Sequence, residues 1–188
     1  MNRGMGFLSV GAALTALALC GCGGSGDHSG DPQTTIHGRL QQGSQTLPNG
    51  AYVQAGSYVD VYSCTARRDG SAQVDLKSSD FDSFLIVGTE DNSHTIQTIA
   101  TDDNSGDGQN ARVKFDVNQD VRYFVAATNA DGAGHGGSYE MDFSSNLQDV
   151  REEPGVTPAI LAAAARALQA LQARKAQPGT VLPASPVH

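Results

Sequence analysis

Phe81-Asp82-Ser83-Phe84-Leu85-Ile86-Val87 opens a stretch that runs to Phe143 and decides the fold. Phe84 to Val87 is continuously apolar, as a strand covered on both faces is. Glu90-Asp91-Asn92-Ser93 turns the chain into a short strand, Ile96 to Ala100. An acidic, Gly-rich loop follows, Thr101-Asp102-Asp103-Asn104-Ser105-Gly106-Asp107-Gly108-Gln109-Asn110. Ala111 to Val117 then alternates, with Val113, Phe115 and Val117 inward. Asn118-Gln119-Asp120 turns again. Val121 to Thr128 sets Val121, Tyr123, Val125 and Ala127 on one side. After a Gly-rich loop at 129–137, Tyr139, Met141 and Phe143 give the inward face of a last strand.

The same reading extends upstream. Thr34 to Leu40 is a first strand, and Pro48-Asn49-Gly50 is a turn signal. Ser57 to Cys64 is rich in strand formers. Arg67-Arg68-Asp69-Gly70 predicts a hairpin turn. Ala72 to Lys77 alternates, with Ala72, Val74 and Leu76 inward and Gln73, Asp75 and Lys77 in water. Helical periodicity is absent from Thr34 to Ser144. About eight short strands spaced by turns predict an all-β fold, an antiparallel, jelly-roll-like β-sandwich over 34–146, large enough for one modest core.

In this order, the residues resemble the bacterial pre-peptidase C-terminal domain family, a jelly-roll-like sandwich attached to many secreted proteases. The resemblance lies in Asp60-Val61-Tyr62-Ser63-Cys64, in Phe81-Asp82-Ser83-Phe84-Leu85, and in the Asp102-Asp103-Asn104 loop leading to Ala111-Arg112-Val113. It closes with Tyr123-Phe124-Val125 and Gly137-Ser138-Tyr139-Glu140-Met141. It covers about Thr34 to Ser144. It implies a non-catalytic accessory module, although the sequence carries no protease domain beside it.

The N-terminus predicts export. Arg3 precedes an apolar run, Phe7 to Leu19, that is short for a membrane span. Leu19-Cys20-Gly21-Cys22 resembles a bacterial lipobox, with Cys22 as the acylated residue and 1–21 as the signal peptide. Cys20 stands where Ala, Ser or Thr is usual. Acyl chains such as palmitate on Cys22 hold a protein at a membrane, at about 0.8 kcal/mol per buried methylene. Gly23 in place of Asp after Cys22 resembles outer-membrane sorting, so the expected location is the outer membrane, facing periplasm or cell surface. Residues 22–33 read as a flexible tether. Once Cys22 is acylated, Cys64 is a lone thiol, expected to be a buried small hydrophobe.

The formal charge of −8, from 12 basic and 20 acidic residues, argues against nucleic acid or an anionic membrane surface as partner. The best candidate for chemistry is the acidic loop. Asp103, Ser105, Asp107 and Gly108 fall on positions 1, 3, 5 and 6 of an EF-hand-type calcium loop, and Asp102, Asn104 and Asn110 add oxygens. Lys114 stands where the bidentate Glu would be, so the pattern also reads as a solvated loop of Asx-turns. Asp82 reads as a structural hydrogen-bonding residue at a strand start. No Gly-x-Ser-x-Gly elbow or His-Glu-x-x-His pair occurs, and His28, His37, His94, His135 and His188 are scattered. No catalytic residues are expected, and a hydrolase ranks last among the readings.

After a linker from residue 147, Thr157 caps an Ala-rich helix with Pro158 at its first position. Leu161, Ala164, Ala165, Leu168 and Leu171 share a narrow apolar face. That helix packs back on the sandwich, hangs free, or docks a partner. Residues 177–188 read as a disordered tail. Two functions follow. One is a membrane-anchored lipoprotein with a non-catalytic binding sandwich for protein or polysaccharide. The other is a structural envelope protein that interacts through the helix.

Overall fold

The computed structural model describes residues 33–41, 45–46, 57–91, 95–131, 134–153 and 156–176. The signal peptide, Cys22, the tether, the turn at 48–50 and the tail at 177–188 lie outside the described residues.

In chain order the strands are β1 (Thr34–Leu40), β2 (Gln45–Thr46), β3 (Tyr58–Ala66), β4 (Gly70–Lys77) and β5 (Ser83–Glu90). They continue with β6 (Ile96–Asp102), β7 (Ala111–Val117), β8 (Arg122–Asn129), β9 (Gly137–Phe143) and β10 (Leu147–Glu152), and α1 spans Pro158–Lys175. They form two antiparallel sheets. One has the order β1-β9-β4-β7; the other has β10-β3-β8-β5-β6, with β2 beside β3. This is the expected all-β sandwich with a helix outside it.

Period-two alternation builds the first sheet. Ala72, Val74 and Leu76 of β4 stand opposite Phe115, Val113 and Ala111 of β7 and face inward. Gln73 and Asp75 stand opposite Lys114 and Arg112 on the outer face. Inward residues of both sheets, among them Tyr62, Cys64, Leu85, Val87, Val125, Tyr139, Met141 and Phe143, make one core between the sheets. Edge-to-face ring pairs fix it, including Phe115 with Tyr123 at 5.5 Å.

Two local expectations are corrected. Arg67 to Gly70 does not close a hairpin. It carries the chain from β3 in one sheet to β4 in the other, because β4 pairs with β7 and β9 rather than with β3. The parallel corner at 118–120 crosses back, with Asp120 at φ 60. The two corners are tied where Gln119 N–H donates to Asp69 Oδ1 at 2.7 Å. Second, residues 147–152 are not linker. They form β10, which pairs with β3 around an irregularity between Gln148 and Arg151, with Asp149 at φ 53.

β3, β5 and β8 are apolar on both faces. Their outward residues Val59, Val61, Phe84, Ile86, Phe124 and Ala126 form a second core, and α1 covers it with Ile160, Ala163, Ala164, Ala165, Leu168 and Leu171. The helix starts as expected, with Thr157 Oγ1 accepting from Ile160 N–H and Pro158 in the first turn. Its apolar face is spent on the sandwich's own sheet. Of the three placements expected for the helix, packing back on the sandwich is the one seen.

Candidate functional site

The acidic loop links β6 to β7 at the end of the sandwich where β5 begins. Its oxygens accept hydrogen bonds both within the loop and from neighbouring segments. Asp102 accepts from Ser105 N–H at 2.8 Å, from the Ser105 hydroxyl, and from Arg112 N–H at 2.9 Å. Asn110 Oδ1 accepts from Ser78 N–H at 3.1 Å. The Asn110 carbonyl accepts from Gly106 N–H, and Asp107 closes a turn onto Asn110. These are Asx-type local bonds, which short polar side chains make in turns.

Asp103 turns elsewhere, to Lys175 at the end of α1, 3.4 Å away. Lys175 also donates to Asp82 Oδ2 at 3.2 Å. Burial lifts the Asp82 carboxyl above its ordinary range, against the pull of Lys175. Burial works to lower the Lys175 ammonium, but Asp82 and Asp103 outweigh it and hold it above its usual value. The Gln172 amide adds a bond to the Ala130 carbonyl. The helix end is thus latched to the sandwich by a cation lying between two carboxylates.

Among the candidate calcium ligands, Asp102 and Ser105 bond to each other, Asn110 Oδ1 accepts from Ser78 outside the loop, Asp107 gives its main-chain carbonyl to a turn, Asp103 pairs with Lys175, and Asn104 is a bend residue. Among the described residues, no three His, Cys, Asp or Glu side chains converge as a metal cluster. Asp82 has the strand-start position expected of it, and its main chain accepts from Ala130 N–H at 2.7 Å. Sequence reading missed its side-chain partner, Lys175, which lies 93 residues away.

A second polar group lies inside the sandwich. Tyr139 Oη donates to Asp60 Oδ2 at 2.8 Å, and the Tyr62 and Tyr139 hydroxyls meet at 2.7 Å. With the Tyr139 proton given to Asp60, Tyr62 is the donor to Tyr139. Burial pushes the Tyr62 phenol up to about 12 and drives Tyr139 up as well. Neither phenol ionises near neutral pH. Gly38 makes room for this chain: a Cβ there would stand 2.2 Å from Tyr139 Cζ and Oη. Phe81 packs edge-on against Tyr139 at 6.5 Å. The Asp60-x-Tyr62, Phe81-Asp82 and Gly137-x-Tyr139 motifs therefore meet around one ring, and their work is to hold the two sheets together.

Cys64 is buried and unbridged, as expected. Burial raises its thiol to about 12, so it is no nucleophile near neutral pH.

The remaining surface of interest is the outer face of the four-stranded sheet. Lys77 lies between Asp142 at 2.6 Å and Glu140 at 2.9 Å. Thr35 Oγ1 donates to Asp142 at 2.5 Å. Arg112 pairs with Asp75, and Arg39 donates to Ser138 Oγ at 3.0 Å. Burial opposes ionisation of Asp142, but Lys77 and Thr35 outweigh it and hold its carboxyl below the ordinary range. The face is polar and uncovered by any described element.

No protein-family model matches the chain, and no curated protein matches it. Solved structures do show similarity. The pre-peptidase C-terminal domain of a collagenase from Bacillus anthracis is 16% identical with a TM-score of 0.41, over 60% of this chain and 89% of that one. A mitogen derived from Yersinia pseudotuberculosis is 13% identical with a TM-score of 0.44, over 65% and 99%. A periplasmic inhibitor of g-type lysozyme from Aeromonas hydrophila is 11% identical with a TM-score of 0.43, over 66% and 93%. The first belongs to the family that the motifs resemble. At this level of similarity, nothing about ligand or activity passes from these proteins to this chain.

Proposed function

We propose that this protein is a lipid-anchored, extracytoplasmic lipoprotein whose sandwich is a non-catalytic binding or accessory module. It presents the outer face of the four-stranded sheet to a protein partner. The observation that carries this reading is the asymmetry of the two outer faces. One is closed by α1, and the other is open and laid with ion pairs. A partner of complementary charge can meet the half-exposed Lys77 and Arg112, whose carboxylate partners Asp142 and Asp75 are buried. Protein is favoured over polysaccharide because the outward residues of β1, β4, β7 and β9 include no Phe, Tyr or Trp on which a sugar could stack. The lipobox-like Leu19-Cys20-Gly21-Cys22 supports anchoring at the outer membrane.

Two measurements test this. The intact mass of detergent-extracted protein should show an acylated chain beginning at Cys22, and the Cys22→Ala chain should lack it; an unlipidated mass sinks the anchor. A photo-crosslinking residue at Lys114, on the open face, should trap a discrete partner in intact cells. The same probe at the exposed Arg166 on α1 should not. Equal yields at both positions, or none at Lys114, would remove the open face as the binding surface.

A further inference from the structure

The outer face of the four-stranded sheet is neutral by count and cationic by depth. It carries Arg39 on β1, Lys77 on β4, and Arg112 and Lys114 on β7, against Asp75, Asp116, Glu140 and Asp142. The chain's formal charge of −8 therefore falls outside this face. Asp75 and Asp142 stand opposite each other near its centre. Their side chains are 12% exposed, whereas those of Lys77 and Arg112 are 46% and 41% exposed. Thr35 and Lys77 fill the two Asp142 oxygens, and Gln73 and Arg112 fill those of Asp75. The register sets the cations in order. Lys114 is opposite Gln73, and Arg112 is opposite Asp75. Lys77, two residues on along β4, is opposite Glu140, which is opposite His37, and Arg39 is two residues on again, opposite Ser138. Lys114, Arg112, Lys77 and Arg39 thus form a diagonal stripe from β7 to β1, with about 7–12 Å between neighbours and about 25 Å from end to end.

We infer that this stripe takes an extended, acidic segment of the protein partner, with Asp and Glu side chains on Lys114, Arg112, Lys77 and Arg39. The inference rests on the open face as the binding surface and adds the chemistry of what it binds. Side chains on one side of an extended chain recur about every 7 Å, so carboxylates two to four residues apart match the stripe. The pairs already present survive such binding. Arg112 meets Asp75 through Nε, which leaves the far edge of its guanidinium to a second carboxylate. Lys77 gives two of its three protons to Asp142 and Glu140 and keeps one. No buried carboxylate loses its partner, which is the costly event when an ion pair is disturbed. A basic segment would find Asp75 and Asp142 buried and already satisfied. An anionic membrane would repel the chain's −8 as a whole, whereas a short segment meets the stripe alone. The cations are exposed, so the attraction is weakened by salt.

The test is fluorescence anisotropy of a dye-labelled synthetic peptide, alternating Glu and Ser over about nine residues, with the full chain carrying Cys22→Ser. Melting temperature checks that each variant is folded. Binding should saturate and weaken as salt is raised, and a peptide alternating Lys and Ser should not bind. Arg39→Glu with Lys114→Glu turns two attractions into repulsions and should weaken binding at least about tenfold. Arg39→Lys with Lys114→Arg should retain it, and Arg166→Glu on α1 should leave it unchanged. Should the double reversal unfold, Lys114→Gln alone must weaken binding about threefold. No binding of the acidic peptide overturns the inference. So does equal binding of the Lys peptide, or binding that survives the reversal. Binding to phosphatidylglycerol vesicles in place of the peptide makes the stripe a lipid site and overturns it too. A discrete partner trapped from Lys114 in cells, while the peptide fails, sinks this inference alone; failure of both removes the open face as well.

Discussion

The sandwich has two outer faces built on opposite plans. On the four-stranded sheet, outward positions are charged or polar, and Lys77 and Arg112 stand half in water over the buried carboxylates of Asp142 and Asp75. On the other sheet, outward positions are Val59, Val61, Phe84, Ile86 and Phe124, and α1 seals them. The first face costs little to leave open. The second is unstable without a cover, because every apolar side chain returned to water gives up about 1.5–3 kcal/mol. Stability is therefore concentrated under the helix, and freedom to change is concentrated on the open face.

Mutations can break this contrast. Leu168→Ala removes a fully buried side chain from the helix–sheet interface and should cost about 2–5 kcal/mol by urea unfolding. A smaller loss than that of an open-face variant would refute the asymmetry. Gly38→Ala forces the Tyr139 ring aside and breaks its bonds to Tyr62 and Asp60. Overpacking of this kind costs about 1–3 kcal/mol, and the Tyr139 ring resonances in an NMR spectrum should shift with it. Lys175→Met unlatches the helix end. Its two bridges are half-exposed at the lysine, so about 1 kcal/mol is expected, with faster amide exchange confined to the last turns of α1.

The smallest effect belongs to the open face and depends on pH. Asp142 is held below its ordinary range in the folded protein. Its contribution is fully present above the unfolded carboxylate pKa and is lost as pH falls through the folded value. Lys77→Met should lower stability slightly at neutral pH and make no difference in strong acid. A deficit that persists in acid would mean that Lys77 acts through packing rather than charge.

The same asymmetry explains what was legible in the sequence. β4 and β7 alternate because one face is wet, and β7 was read with its exact bounds, Ala111–Val117. β5 reads as covered on both sides, but nothing local says what covers it. The helix face was visible in Leu168 and Leu171, while its destination was not, since pairing it with Phe84 and Phe124 is a long-range choice. β10 was missed because Asp149, at positive φ, breaks its alternation. The corner at Arg67–Gly70 carries the residues of a hairpin, and only the strand order tells them apart. In the acidic loop the spacing shows neither the bonds of Asp102 to Ser105 and Arg112 nor the pairing of Asp103 with Lys175, which lies far along the chain.

The cover is also the last described element of the chain. Synthesis runs from the N-terminus, so all ten strands exist before the residues that shelter Phe84 and Phe124. A polypeptide cut short before Pro158 can pair its strands yet still displays a greasy sheet. Such a fragment advertises its own incompleteness to chaperones and proteases that recognise exposed apolar surface. Because the seal follows the strands it covers, a finished surface is a proof that translation reached at least Leu171.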